Sequence, residues 1–476
     1  MPNYTLNNIK AFPTAIGFGQ NSIGGRNGAI LHITDLTING NGTYDPVTGI
    51  GYGDFRWAVD QTFPRTIVFD VSGVIDLGGS TFTVRPDNIS ILGQTAPGDG
   101  ISLVNADFRL DGIQDCTMRF LRLRDGPEAN GTNPDLNTMT IISRVAGKNA
   151  MDIIIDHCSI TGGYDETWSM GANHPSAPNS TIENVTLQNS IVGENKDGPV
   201  YYATLLGKQC YNISMLRNLW INNGNRVPEH TYGSDSTFEF VNNLLYNYNR
   251  SVTVSFGDAT FESIGNVWKA DANYPPGQAL HVYQLNNIEN PGGLITEGWM
   301  YQTDNIEIGS YTNPFGVMNS NWSTANKPSR SLNSPYVPVS SSEVENLVIN
   351  DVGPSSLFTD PYDARLFDEY QNNTGVIGGV GQSAATVTPT SRSAGYDSIA
   401  SGIPNAFATE HGITDPHQVI VNWDFGTYTV TNNAGYTAIE MYSFYLADDF
   451  QKLEADLGEP TNEVSGNKGN LYLLNV

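Results

Sequence analysis

The chain has 476 residues, of which 15% are charged and 49 are glycine, and its formal net charge is −26. Such a surface repels nucleic acid and anionic membranes, and it also repels an anionic polymer unless a metal or a local positive patch intervenes. The length allows one large solenoid or two to three ordinary domains, and a glycine- and asparagine-rich chain with few helix-favouring runs suits an all-β protein with many turns.

The first residues, "MPNYTLNNIK", lack the apolar core of a signal peptide, and no run is apolar enough to span a bilayer. Short runs with strand-like alternation then recur: "NISILGQTA" from Asn88, "CTMRFLRLR" from Cys116, "DIIIDHCSI" from Asp152, "NVTLQNSIV" from Asn184, "NISMLRNLW" from Asn212, "TFEFVNNLL" from Thr237 and "TFESIGNVW" from Thr260. Aligned on the seventh position they give Gln94, Arg122, Cys158, Ser190, Asn218, Asn243 and Asn266, at steps of about 28, 36, 32, 28, 25 and 23 residues. That spacing predicts a right-handed parallel β-helix over about residues 15–300, with long loops leaving at one corner. Equivalent residues in such a solenoid lie above one another. Asn218, Asn243 and Asn266 should therefore form a ladder of amides, and the two longest steps should build the rim of a groove.

After about Gln284 the pattern weakens. "SNWSTANKPSRSLNSPYVPVSSSE" predicts a loop crossing the outside of the solenoid. "DPYDARLFDEYQNN" and "YTAIEMYSFYLADDFQKLEADL" predict helices, the second covering a solenoid end and so hiding an open strand edge. The organisation read from this is a β-helix over 1–310, a loop-rich segment over 311–400 packing on it, and a partly helical C-terminal extension over 401–476. Cys116, Cys158 and Cys210 are an odd, sparse set inside apolar runs, which predicts buried thiols rather than a disulfide framework.

One stretch calls for chemistry. "NNGNRVPEHTY", Asn222–Tyr232, follows an apolar strand-like run and puts Arg226 two residues before a proline. On physical grounds Arg226 is a bidentate clamp for a carboxylate, a turn residue on a surface ion pair, or a catalytic group. Tyr201, Tyr202 and Trp220 are sugar platforms or coil packing.

Several blocks resemble pectate lyases of the bacterial, polysaccharide lyase 1 type, within the pectin lyase-like superfamily. These are "AFPTAIGFGQNSIGGRNGAILHITDL", "PRTIVFDVSGVIDL", "ILGQTAPGDGI", "IIIDHCSITGGYDETWSM", "LVINDVGPSSLFTDPYDARLFDEYQNNTG", "GIPNAFATEHGITD" and "AGYTAIEMY", spread in order over most of the chain. The resemblance implies β-elimination on an acidic, uronate-containing polysaccharide, most readily polygalacturonate, assisted by Ca2+. Calcium suits the task because it is hard, takes oxygen ligands and lets an acidic protein hold an acidic polymer. By the family pattern the metal shell falls on Asp135 and Asn137, then on Asp165 with Glu166. The position four after Asp165 is Ser169, where the pattern often has an aspartate, so Glu166 is the substitute. The R-x-P motif makes Arg226 the base. Lys196 becomes the carboxylate partner, with Lys208 competing for that place.

The chain departs from the pattern just after Pro228. Family members commonly carry a second arginine there, and this chain has Glu229, His230 and Tyr232. His230 and Tyr232 are then candidates for contacts to sugar hydroxyls, and the polymer need not be plain polygalacturonate. His157, in the "DHCS" block, is structural by the same resemblance. The rival reading is a β-helix that binds a uronan without cleaving it, or a virion-borne depolymerase. Partners are then an acidic polysaccharide, with no nucleic acid and no membrane span, in a secreted or virion-associated setting.

Overall fold

The structure, a computed structural model, describes residues 1–124, 137–172, 174–195, 202–230, 236–248, 254–255, 259–270, 299–309, 328–358, 360–378 and 387–456. Its body is a parallel β-helix with three faces. The first face carries the C-terminal half of Ile101–Asp111, then Met139–Ile142, Glu166–Gly171, Tyr202–Leu206, Glu229–His230 and Val254–Ser255, each parallel to the next. The second runs from Ala29–Ile33 through Ala150–Asp156, Ile182–Gln188 and Cys210–Leu216 to Trp299–Thr303. The third continues from Leu121–Arg124 through Ser159–Thr161, Ile191–Gly193 and Leu219–Asn223 to Ile306–Ile308.

The corner between the second and third faces explains the repeat. One residue per coil there, from Phe120 through His157, Asn189 and Arg217 to Asn242, has φ between 46° and 56°. Asparagine tolerates this left-handed conformation, whereas a branchless turn through Phe120 or Arg217 costs about 1–2 kcal/mol. The next residue in each coil points inward and builds the column. Asn218 Nδ2 donates to Asn243 Oδ1 at 3.1 Å, Asn243 Nδ2 to Asn266 Oδ1 at 3.1 Å, and Asn266 Nδ2 to Asn305 Oδ1 at 2.9 Å. The same oxygens accept the backbone N–H of the coil before, and the column starts at Cys158 and Ser190. The predicted ladder is present, with Asn305 as one more rung.

One alignment in the repeat was a residue out. Leu121, not Arg122, stands in register with Cys158, because Arg119 pairs with Asp156. A slip of one residue turns a side chain to the opposite side of the strand. Leu121 is inside the coil, whereas Arg122 faces outward and is buried against Asp360 at 2.6 Å.

The interior is one continuous apolar column, in which Phe55, Phe82 and Phe108 stack at centroid distances of 5.7 and 5.9 Å. Phe55 comes from a short helix, Phe55–Val59, capped by Asp54 accepting from Trp57 N–H, and its apolar face joins the first coils. The three cysteines are free and buried, and burial pushes the Cys116 and Cys158 thiols up to about 12.

The glycine-rich start "AIGFGQNSIGG" crosses the outer surface of the second face. Phe18 and Gly19 N–H donate to Ser214 Oγ and Thr186 Oγ1 on successive coils. A Cβ at Gly19 would sit 2.3 Å from the Ile153 carbonyl oxygen, so the close approach requires glycine.

Helices dress the other surfaces. Ser341–Asp351, which the sequence reading did not anticipate, and Pro361–Asn372 cover the third face, with Val344, Val348, Leu366 and Tyr370 on Ile191, Leu219 and Leu244. The second helix is anchored by buried ion pairs from Asp360 and Asp363 to Arg122 and Arg124. The C-terminal run is two helices, Ala438–Leu446 and Asp449–Asp456. The first of them packs with Phe12 and Tyr4 over Ile30, Val68 and Ile154. It therefore covers the flank of the second face rather than a solenoid end, since its apolar side matches outward-facing strand residues.

Candidate active site

The site gathers where the chain enters the first-face strands. Asn137 lies just before Met139–Ile142. Its Nδ2 donates to Ser169 Oγ at 2.7 Å and Thr140 Oγ1 at 3.0 Å, while its Oδ1 accepts from Glu166 N–H at 3.0 Å. A neutral Asn–Ser pair thus includes Ser169, where the family pattern often has an aspartate, and it acts as a strut between coils. Asp165 and Glu166 share a hydrogen bond. Burial, then the charge of Asp165, pushes the Glu166 carboxyl up to about 8, against the pull of Arg226.

Arg226 is held by the coil beyond. Its backbone is left-handed at φ 58°, its carbonyl accepts from Thr204 N–H at 2.8 Å, and the following Val227–Pro228 peptide is cis. The guanidinium pairs with Glu166 and lies 3.4 Å above the centre of the Tyr202 ring, a cation–π seat. Glu229 Oε2 is 3.4 Å from Arg226 Nε. Arg226 retains 21% side-chain exposure and Glu166 only 4%, so the guanidinium covers the acid and faces outward itself.

The structure therefore brings Asn137, Asp165, Glu166 and Arg226 together. It does not bring Lys208 to them. Lys208 is exposed beyond the far end of Tyr202–Leu206, its carbonyl accepting from Ala172 N–H. His230 is turned into the coil, fully buried and stacked on Phe238 at 5.6 Å. Asp135, Lys196 and Tyr232 lie outside the described residues. Among the described residues no three His, Cys, Asp or Glu side chains form a metal cluster. Tyr202 and Glu229 are the contacts the sequence reading left without a definite role. Strand alternation was the available signal, because Glu229 and His230 are adjacent and must face opposite ways.

No protein-family model matches the sequence. Curated relatives do. The chain is 30% identical over 448 residues to a probable pectate lyase C from Aspergillus fumigatus, covering 91% of this chain and 93% of that one. The chain belongs to the pectate lyase family. Another relative in the family, the probable pectate lyase C of Emericella nidulans, is 29% identical over 454 residues, 93% of this chain and 94% of that one. Among solved structures, a cedar pollen allergen, jun a 1, aligns at 15% identity and TM-score 0.48 over 71% of this chain and 92% of its own. A pectate lyase from Bacillus sp. N165 in complex with trigalacturonate aligns at 13% and 0.47 over 71% and 98%.

In this member of the pectate lyase family the Asp156–His157 pair is a buried structural node. His157 Nδ1 is 2.8 Å from Asp156, its Nε2 is 3.2 Å from Asp351, and its ring stacks on Phe120 at 4.7 Å. Burial lowers the imidazole pKa, but the charge of Asp156 leads the opposing effects and the net shift is upward.

Proposed function

We propose that the protein is a polysaccharide lyase that cleaves polygalacturonate by β-elimination, with Arg226 as the base. The observation that carries this reading is Arg226 itself, seated on Tyr202 on the first face beside buried Glu166 and half-buried Asp165, in a chain of the pectate lyase family. In the reaction the base takes the proton on C5, beside the uronate carboxylate. The C–H electrons become the C4=C5 double bond, the C4–O bond breaks, and the departing oxygen takes a proton. Arg226 must act as a neutral guanidine for this, and it must leave Glu166 and Glu229 to meet the substrate. On taking the C5 proton Arg226 becomes a guanidinium, and its positive charge then stabilises the negative charge that builds on the uronate carboxylate.

The donor set fits Ca2+. Two adjacent carboxyls share a hydrogen bond, and burial together with the charge of Asp165 pushes Glu166 up to about 8 although Arg226 is beside it. Asp165, Glu166 and the Asn137 amide oxygen would hold the ion, with Asp135 from the adjoining segment. Bound calcium supplies charge neutralisation of the uronate carboxylate. Lys196 is proposed as a further carboxylate partner. Secretion fits a polymer substrate, and among the described residues no helix is long and apolar enough to cross a membrane.

The test is ultraviolet absorbance of unsaturated ends on polygalacturonate and other uronans, with calcium and then with chelator. Calcium-dependent absorbance is expected, and none on any uronan removes the lyase. One observation favours the rival binding protein: Arg226 is engaged by two glutamates in the structure. Retention on a uronan gel without any absorbance would establish that reading instead.

A further inference from the structure

The first face has a row of outward residues that register fixes coil by coil: Arg109 opposite Thr140, Thr140 opposite Ser169, Ser169 opposite Leu205, and Leu205 opposite Glu229. Their neighbours Phe108, Met139, Trp168 and Leu206 belong to the interior core, so alternation puts the row on the outer side of the sheet, where Arg109, Leu205 and Glu229 are partly exposed and Thr140 and Ser169 are buried between them. At about 4.8 Å per strand the row spans roughly 19 Å.

Its two ends differ in charge. At the Arg109 end, three guanidiniums (Arg85, Arg109, Arg144) meet two carboxylates (Asp107, Asp111), an excess of one positive group. At the far end a single guanidinium, Arg226, meets Glu166 and Glu229 with Asp165 beside them. The metal-site acids answer to a cation, whereas Glu229 does not lie among them. It sits beyond Arg226, next to the partly exposed, apolar Leu205. A polymer lying along this row meets positive charge first and an acid beside an apolar side chain last.

We infer that Glu229 and Leu205 form a subsite next to Arg226 that takes an uncharged, methyl-esterified uronate, so that the enzyme prefers partly esterified galacturonan over the fully de-esterified polymer. A free carboxylate placed there meets the Glu229 carboxyl, while a methyl ester removes the charge and offers its methyl group to Leu205. The Arg109 end and the acid pair still require free uronates, so full esterification is disfavoured too. This rests on the lyase reading for its substrate.

The experiment compares wild type, Glu229→Gln and Glu229→Arg on galacturonans of graded methyl-esterification. Initial rates are read by absorbance, and affinity for the same polymers by retention in polymer-containing gels. Wild type should be fastest, and best retained, at intermediate esterification. Glu229→Gln should reduce the preference for the esterified over the de-esterified polymer about five- to tenfold, the scale of one like-charge contact near the surface. Glu229→Arg should reverse it. A Glu229→Gln preference equal to that of wild type, or wild type fastest and best retained on the de-esterified polymer, overturns the inference. Gel retention needs no cleavage. A protein that shows the graded preference but no absorbance keeps this subsite and loses the lyase reading.

Discussion

Replacing Arg226 by alanine separates the catalytic from the structural role of this residue, because its partner Glu166 is already inclined to be neutral. Burial and the charge of Asp165 push the Glu166 carboxyl up to about 8 even with Arg226 present, so at pH 6 its protonated form dominates. Removing the guanidinium at pH 6 therefore leaves a protonated acid hydrogen-bonded to Asp165, not an orphaned charge. The stability cost is then the lost cation–π seat on Tyr202 and part of a hydrogen bond, about 1 kcal/mol. Breaking a buried pair of full charges would cost about 3–5 kcal/mol.

The cost should grow above pH 8. There the wild type ionises Glu166 against Arg226, while the variant retains the proton to a higher pH. Its folded state binds more protons than its unfolded state, so it loses up to about 1.4 kcal/mol per pH unit relative to wild type. Urea midpoints at pH 6 and pH 9 measure this, and kcat/KM on polygalacturonate measures the chemistry. Loss of a general base should lower kcat by about 10²–10⁴. A stability loss of about 3 kcal/mol or more at pH 6 would show that Glu166 is charged there. A kcat within about tenfold of wild type would remove Arg226 as the base.

Three further outcomes follow from the scaffold. Asn243→Ala strips partners from Asn218 N–H, Asn218 Nδ2 and Trp220 Nε1, all buried, and should cost about 3–5 kcal/mol by urea denaturation. Asn184→Ala, on a half-buried ladder between Asp152 and Asn212, should cost about 2 kcal/mol, part from the lost bonds and part from putting alanine in the left-handed backbone of Asn184 at φ 54°. Asp363→Asn removes a buried charge shared by Arg124, Ser159 and Ser355; a loss of about 3–5 kcal/mol and faster hydrogen exchange in Pro361–Asn372 are expected. The cluster around His157 sets the pH limits. Asp156 and Asp351 are both held below the usual carboxylate range: burial raises them, but the opposing charges of His157, Arg119 and Lys452 outweigh it. Their stabilisation is present above about pH 4 and fades as pH falls. His157 is raised, so its share is complete below about pH 6.5 and fades as pH rises through its folded value. His157→Gln should flatten the alkaline side of a thermal-midpoint profile between pH 6 and 9.

The solenoid was legible because its periodic signals are local. Alternation marked the strands, and asparagine at the corner marked the turns, since few other residues accept that conformation and also bond to the next coil. The error at Arg122 came from the same source: the run was begun at Cys116, one residue late, and short alternating runs do not fix their own first residue. The helix Ser341–Asp351 was hidden by its serine-rich entry, where Ser340 accepts from Ser342 N–H as the cap rather than continuing a loop. The C-terminal helices were visible as amphipathic runs, but what they cover depends on contacts hundreds of residues away, such as Arg119 with Asp449. At the site, Arg226 and the acids were found by motif. That Arg226 would rest on Tyr202 and between two glutamates depends on three coils stacking in one register, which no local pattern encodes.

The same geometry explains how the groove can vary without the fold giving way. The asparagine column lies on the corner between the second and third faces, and the buried pairs of Arg119 with Asp449 and of Arg124 with Asp363 lie on those faces as well. The first face contributes inward apolar side chains to the core; in its outward row Arg109 is tied to buried Asp107, whereas Leu205 and Glu229 take no part in those networks. Asn137 bonded to Ser169 shows the consequence, a neutral strut on a face where charge had been considered, with both neighbouring strands still in register. Substitutions at Leu205 and Glu229 therefore act on what the groove binds with little effect on stability, and this pair is where this chain has used that freedom.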